Sequence, residues 1–313
     1  MSGLVYAKLL FYANDPIDGS LPYTFKVGNG KPVPSDLKPL NFECEWRQIA
    51  ISDMRGKEGD FRLDECGFEC VKNSGLSDDQ RAELLEWLND SSDYFDATLK
   101  PIAESVLSRS QVKFKSIHVF GSGKRNSRTL NSRFVPLPNA SAPATRIHVD
   151  QSFEMGILRT QQVLAANNCP PYSPSSTRYR IINVWIPLCD VVRDWPLIFA
   201  DSRTCPEESL VRVRAHVRGV PTDGENYTLK YTDGVEYYYW SQMKWSEALL
   251  VQCFDSQILE DGSRVRCPHG SFRDPRFVVD EENVNSFRVS VEIRCLVLSD
   301  VSNVSDDSGD SQA

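Results

Sequence analysis

Histidine is scarce in this chain. Only His118, His148, His216 and His269 occur among 313 residues, so any chemistry that needs an imidazole draws on a short set. No Cys-x-x-Cys pair exists, although nine cysteines run from Cys44 to Cys295. An odd number of scattered cysteines reads as reduced thiols rather than a disulfide framework. Met1–Tyr12 is too short and lacks the small-residue cleavage site of a secretory leader, so the expected location is cytoplasmic. The glycosylation patterns at Asn139 and Asn226 then carry no meaning. No apolar run reaches the roughly 18 residues that span a bilayer, which excludes a membrane helix. Basic residues are also short: 35 Lys and Arg stand against 43 Asp and Glu, a net charge of −8. Nucleic acid is a poor partner for such a chain, because phosphate binding needs basic surface. A small molecule suits it better.

Aromatics are plentiful, with 15 Phe, 11 Tyr and 6 Trp to fill a core. Residues 1–60 are rich in Pro, Gly and Asp and read as an arm, with strands at 4–12 and about 48–53 and a turn at Asp15–Ser20. Asp64–Val71 is expected to lead into helix. Ser77 and Gln80 form a capping box ahead of Ala82, Leu84, Leu85 and Leu88. A second helix is expected from about Ser92 to Leu107, kinked or split at Pro101. From about Lys113 the period changes to two. Strands are expected at 112–120, 145–150, 180–187, 196–201, 210–217, 236–240, 248–254, 265–269 and 286–298, the pattern of a sandwich or jelly roll. The Pro/Ser-rich stretch 165–177 reads as a surface loop near a barrel mouth. The residues from Ser299 onward are Ser/Asp-rich and expected to be disordered. The division is therefore one domain over 1–298, with 1–111 as arm and helices, 112–298 as the mainly β core, and 299–313 as a tail.

Three stretches carry chemistry. Arg146–Ser152 reads as a strand that sets His148 and Asp150 on one face, since side chains i and i+2 point the same way. An imidazole beside a carboxylate supplies two ligands of a divalent metal. A second histidine would complete the facial triad of non-haem Fe(II) oxygenases. His269 is a candidate, 121 residues later in Pro268-His-Gly-Ser-Phe272; a turn histidine is the plainer reading of it alone. Ser286–Leu298 alternates strictly: Phe287, Val289, Val291 and Ile293 on one face, Ser286, Arg288, Ser290, Glu292 and Arg294 on the other. So charged a face lines either solvent or a polar cavity. In a cavity, Arg288 offers a fork to a carboxylate and Ser290 a hydroxyl. Asn183 and Trp185 share a strand face, and Asn183 reads either as a hydrogen-bond partner of a co-substrate or as a sheet-capping residue. Arg178 and Arg180 either meet a substrate acid or are simply solvated. Gly121-Ser-Gly123-Lys124 lacks the spacing of a phosphate loop. Tyr237–Trp240 reads as core, and His118 and His216 as structural.

In this order, His-x-Asp, a later His and Arg-x-Ser on a C-terminal strand resemble the Fe(II)/2-oxoglutarate oxygenases. The stretches Ile147–Ser152, Ile182–Leu188, Asp194–Leu197, Gln252–Ser256, Pro268–Phe272 and Arg288–Arg294, with Tyr6 and Asp53–Gly56, resemble a narrower family. It is the fungal hydroxylase/desaturase family of secondary-metabolite clusters, related to the cephem methoxylase subunit. The resemblance covers about residues 4–298. It implies a double-stranded β-helix with flanking N-terminal helices, Fe(II) on His148, Asp150 and His269, and 2-oxoglutarate on Arg288 and Ser290, with O2 as co-substrate. His269 and Arg288 are 19 residues apart, longer than is usual in the wider superfamily, and Arg294 is the alternative anchor. The implied activity is hydroxylation or desaturation of a small-molecule intermediate. A non-redox isomerase or hydrolase on the same barrel, or a non-catalytic partner subunit, is the competing reading. Any assembly is expected to be a homo- or hetero-dimer.

Overall fold

The computed structural model describes residues 3–27, 38–89, 98–130, 140–218, 224–280, 282–283 and 286–301. Its strands are β1 (Val5–Asn14), β2 (Tyr23–Val27), β3 (Glu43–Asp53), β4 (Phe68–Val71), β5 (Ser116–Asn126), β6 (His148–Val149) and β7 (Thr177–Pro187). They continue with β8 (Leu197–Ala200), β9 (Leu210–Arg218), β10 (Gly224–Leu229), β11 (Tyr237–Tyr239), β12 (Ala248–Asp255), β13 (His269–Ser271) and β14 (Val289–Asp300). The helices are α1 (Leu63–Cys66), α2 (Asp78–Asn89), α3 (Leu99–Ser108) and α4 (Phe153–Ala166).

The strands form two sheets. The larger runs β1-β3-β11-β8-β13-β6-β10-β9-β2 and the smaller β4-β12-β7-β14-β5. Curled together they make the jelly roll that the alternating pattern predicts. In the smaller sheet, alternation decides which side faces what. Ile182, Val184 and Ile186 of β7, with Val291, Ile293, Cys295 and Val297 of β14, pack beneath Leu84, Leu88, Ile102, Val106 and Leu107 of α2 and α3. The opposite sides carry Asn183 and Trp185 on β7, and Ser290, Glu292 and Arg294 on β14. Arg294 meets Asp150, so this polar side lies inside the roll rather than in solvent.

The capping box holds as expected: Gln80 N donates to Ser77 Oγ and Ser77 N to Gln80 Oε1. Several other expectations change. Residues 64–71 hold one short helix followed by β4 rather than leading into a long helix. The left-handed Gly67 (φ 85°) ends α1, and β4 then pairs with β12. Pro101 neither kinks nor splits α3, because it sits in the first turn, where a proline N–H would have no partner anyway. The first part of that expected helix, 92–97, lies outside the described residues. Residues 165 and 166, expected as the start of a loop, instead end a helix that begins at Phe153. Ser152 caps it, its Oγ accepting from Met155 N, and a Cβ at Gly156 would stand 2.2 Å from Phe254, so the helix lies directly on β12. Residues 265–268 are not strand, and the ladder begins only at His269. Ser299 and Asp300 belong to β14 rather than to a disordered tail, paired with Arg178 and Thr177; residues 302–313 lie outside the described ones.

One cluster ties Gly56 and Glu58 to the residues that follow β4 and β11. Glu58 accepts from Gly56 N at 3.0 Å and Trp240 Nε1 at 3.1 Å and lies 3.2 Å from Lys72 Nζ. Burial alone would raise its pKa, but these donors hold it down to about 2, against an ordinary 4.5. A folded-state pKa below the unfolded one stabilises above pH 4.5 and is lost as pH falls towards 2. Glu58→Gln is therefore expected to flatten the acid limb of the stability curve. The contribution lost is up to about 3 kcal/mol. Urea unfolding of both proteins at pH 7 and pH 3 checks this; parallel pH dependences would refute it.

Candidate metal centre

The two outer ligands of the expected triad come from neighbouring strands. β6 pairs antiparallel with β13, and His148 stands directly opposite His269. Their ring centroids are 4.7 Å apart. Asp150, two residues beyond His148, shares its face, with Oδ1 3.4 Å from His148 Nε2. One donor atom from each of the three residues lies within 4.8 Å of the others. The backbone orients both rings in the same way. His148 Nδ1 is 2.9 Å from Arg146 O, and His269 Nδ1 is 3.0 Å from Cys267 O. A protonated Nδ1 donating to its own strand leaves the Nε2 lone pair free for a metal.

The electrostatics favour the ligand forms. Burial lowers the pKa of His269, and the neighbouring His148 lowers it further, so the ring is neutral. Burial would raise Asp150, but Arg294, His148 and His269 together hold its carboxyl well below the usual range. Its Oδ2 accepts from Asn183 Nδ2 at 2.8 Å and Arg294 Nε at 3.2 Å. Arg294 also contacts Glu292 at 2.8 Å.

A second polar cluster lies beside the triad. Ser271, two residues beyond His269, accepts from Arg288 Nη1 at 2.9 Å, and the same nitrogen donates to Trp195 O. Trp195 adopts φ 48°, unusual for a residue with a side chain, within Asp194-Trp-Pro-Leu197. Arg288 is buried, and its guanidinium carbon is 5.7 Å from the centre of the Trp185 ring. Burial and the nearby Arg125 lower its pKa to about 10, so it remains charged at neutral pH. Ser127 fixes the strand end: its N donates to Arg288 O at 2.9 Å, and its Oγ accepts from Arg288 N at 2.9 Å and donates to Asp194. Arg288 Nε and Ser290 Oγ are both buried without a protein partner.

Residues 10–298 match the family described as "Oxidoreductase/YMDC permease-like domain". The chain belongs to this family. It is similar to the hydroxylase/desaturase poxK of Penicillium oxalicum, 28% identical over 312 residues, which takes in 93% of this chain and 90% of the relative. It is also similar to the Fe(II)/2-oxoglutarate-dependent dioxygenase nvfI of Aspergillus novofumigatus, 28% identical over 156 residues, 50% of this chain and 52% of the relative. Among solved structures, the iron and alpha-ketoglutarate-dependent endoperoxidase NvfI shares the fold. Its TM-score is 0.72 at 22% identity, covering 95% of this chain and 99% of that one. The resemblance to fungal hydroxylase/desaturase enzymes is thus supported over nearly the whole chain. No described helix is long and apolar enough to cross a membrane.

In this oxidoreductase the structure joins His148, Asp150, His269, Asn183 and Arg294 in one cluster, with Arg288 in the neighbouring one. Asn183 and Arg294 touch the Asp150 carboxylate. Arg178 and Arg180 turn elsewhere: Arg178 Nε is 3.0 Å from Asp255, and Arg180 Nη1 is 3.1 Å from Asp64. His118 lies against Cys169, and His216 edge-on to Tyr23. Sequence reasoning missed Ser127, Ser271, Asp194 and Trp195 as the surroundings of Arg288, and missed Arg125. Ser271 was legible, being two residues from His269 on a strand. Trp195 was not, because it acts through its carbonyl.

Proposed function

We propose that His148, Asp150 and His269 hold Fe(II), and that Arg288 and Ser290 hold the distal carboxylate of 2-oxoglutarate. The enzyme is a non-haem Fe(II)/2-oxoglutarate-dependent oxygenase that hydroxylates or desaturates a small-molecule natural-product intermediate. The observation that carries this reading is the pairing of a two-His, one-carboxylate set with an adjacent buried arginine. The residues fit both groups. Two imidazoles and one carboxylate are the ligand set that leaves coordination positions open on non-haem iron. Arg288 Nε and Ser290 Oγ, buried and unpartnered, suit an incoming carboxylate.

When bound, the iron and co-substrate supply the oxidation: 2-oxoglutarate and O2 are consumed, succinate and carbon dioxide are released, and a substrate C–H bond is oxidised. The chain supplies position and charge. The carbonyls of Arg146 and Cys267 set both imidazole tautomers. Asn183 and Arg294 occupy Asp150 Oδ2 and leave Oδ1 towards the histidines, which fixes the carboxylate as a one-oxygen ligand. Arg288, braced by Ser271 and Trp195 O, presents a preformed cation and avoids reorganisation on binding. Arg294 is committed to Asp150 and Glu292, so Arg288 is the better anchor.

Anaerobic addition of Fe(II) and 2-oxoglutarate is expected to give a visible metal-to-ligand charge-transfer band, and oxygen then to release succinate. Absence of the band would overturn the assignment. Asn183→Ala is expected to weaken iron binding by about 10- to 100-fold, because it frees Asp150 to turn. Anaerobic Fe(II) titration checks this; unchanged affinity would leave Arg294 as the sole orienting group. The reading also takes residues 1–298 as one oxygenase domain, acting in the cytoplasm without nucleic acid. Sedimentation would decide between monomer, homodimer and a dimer with a related chain.

A further inference from the structure

We propose that Arg159 receives an acidic group of the substrate, so that the intermediate oxidised by this enzyme carries a carboxylate. The inference rests on the oxygenase reading and names the substrate class for that same site.

α4 starts immediately after the metal-binding strand. Gly156, Thr160 and Val163 are buried on its barrel side. Arg159 follows Gly156 by three residues and precedes Val163 by four, so it shares that side. Its guanidinium carbon lies 5.9 Å from the centre of the Phe120 ring. Phe120 is the extra residue where the β5–β14 register shifts between Arg294 and Cys295. Arg159 therefore stands at the Arg294 end of the inner polar strip, far along β14 from Arg288.

Arg159 differs from Arg294 in lacking a counter-charge. Arg294 has Asp150 and Glu292. The nearby Glu154 is taken by Arg212. Arg159 is half-buried, meets no carboxylate among the described residues, and its Nε is buried without an acceptor. Arg294 repels it and burial desolvates it. Holding a cation there is unfavourable unless an anion arrives. A carboxylate fits the guanidinium fork. Gly121 and Gly123 stand opposite Arg294 and Glu292 on β5 and put no side chain into the strip beside them.

The test uses the full chain loaded anaerobically with Fe(II) and 2-oxoglutarate, so that the Arg288 site is filled. The probes are a fragment set of aromatic and terpenoid carboxylic acids, each paired with its methyl ester, and binding is read by saturation-transfer NMR and titration. Acids are expected to bind at least about tenfold more tightly than their esters in the wild type, the worth of one charge-assisted contact. That preference is expected to vanish in Arg159→Gln and to return in part in Arg159→Lys, with the charge-transfer band unchanged in all three proteins. Equal binding of acids and esters to the wild type, or no binding of either, with the band intact overturns this inference alone. An acid preference that survives Arg159→Gln, or is lost only in Arg125→Gln, also overturns it. Failure of the band in the wild type is the separate outcome that removes the oxygenase reading.

Discussion

Asp150→Ala protein is expected to purify without stoichiometric iron and to show neither the charge-transfer band nor succinate release, a fall of at least about a thousandfold. The carboxylate is the only acidic member of the triad, and its loss leaves two imidazoles. The same change strips Arg294 and Asn183 of the oxygen they share at 3.2 and 2.8 Å. Leaving the buried Asn183 amide unpaired costs about 1–3 kcal/mol. A lower melting temperature of the metal-free protein should therefore accompany the lost metal. Iron analysis, succinate assay and calorimetry read the three effects. Full iron occupancy with wild-type succinate release in Asp150→Ala would end the assignment of the triad.

The second large effect concerns the co-substrate. Arg288→Gln is expected to keep Fe(II) affinity but weaken 2-oxoglutarate binding. Truncating one member of a buried, hydrogen-bonded charge pair costs about 2–5 kcal/mol, or roughly 30- to several-thousand-fold in affinity. Arg288→Lys restores the charge without the fork, and an ammonium cannot reach Ser271, Trp195 O and a carboxylate in one plane. It is expected to recover only part of the loss. Because the band requires both iron and co-substrate, its titration with 2-oxoglutarate separates this defect from a metal defect. Unaltered half-saturation in Arg288→Gln, with the loss appearing in Arg294→Gln, would move the anchor to Arg294.

The site was more legible than its surroundings for physical reasons. His148 and Asp150 follow from the two-residue strand period, and the polar face of β14 follows from alternation. That this face turns inward was left open by its residues, since a charged strand face is equally at home in water. Asp150 against Arg294 decides it. Asn183 was noticed as a possible donor, but its partner is the Asp150 carboxylate, a contact across 33 positions that no local pattern encodes. α4 was missed because its sequence has weak helical periodicity; its place is set by the Ser152 cap and by the fit of Gly156 on Phe254. β13 is three residues long and lies beyond a stretch that reads as strand but is not, so its start could not be placed from composition.

The position of His148 opposite His269 has a consequence for how the molecule assembles. The two residues are 121 positions apart, and they become neighbours only once β13 has docked on β6. Closing so long a loop is entropically costly, and the contact between these strands is only one residue pair deep. A bound metal ion would act as a non-covalent staple across that junction. It would favour the docked arrangement by about 1.4 kcal/mol for each tenfold excess of free iron over its dissociation constant. Without a metal, β13 would be held to β8 by three residue pairs and to β6 by one, so the β6 junction is where the roll would loosen first.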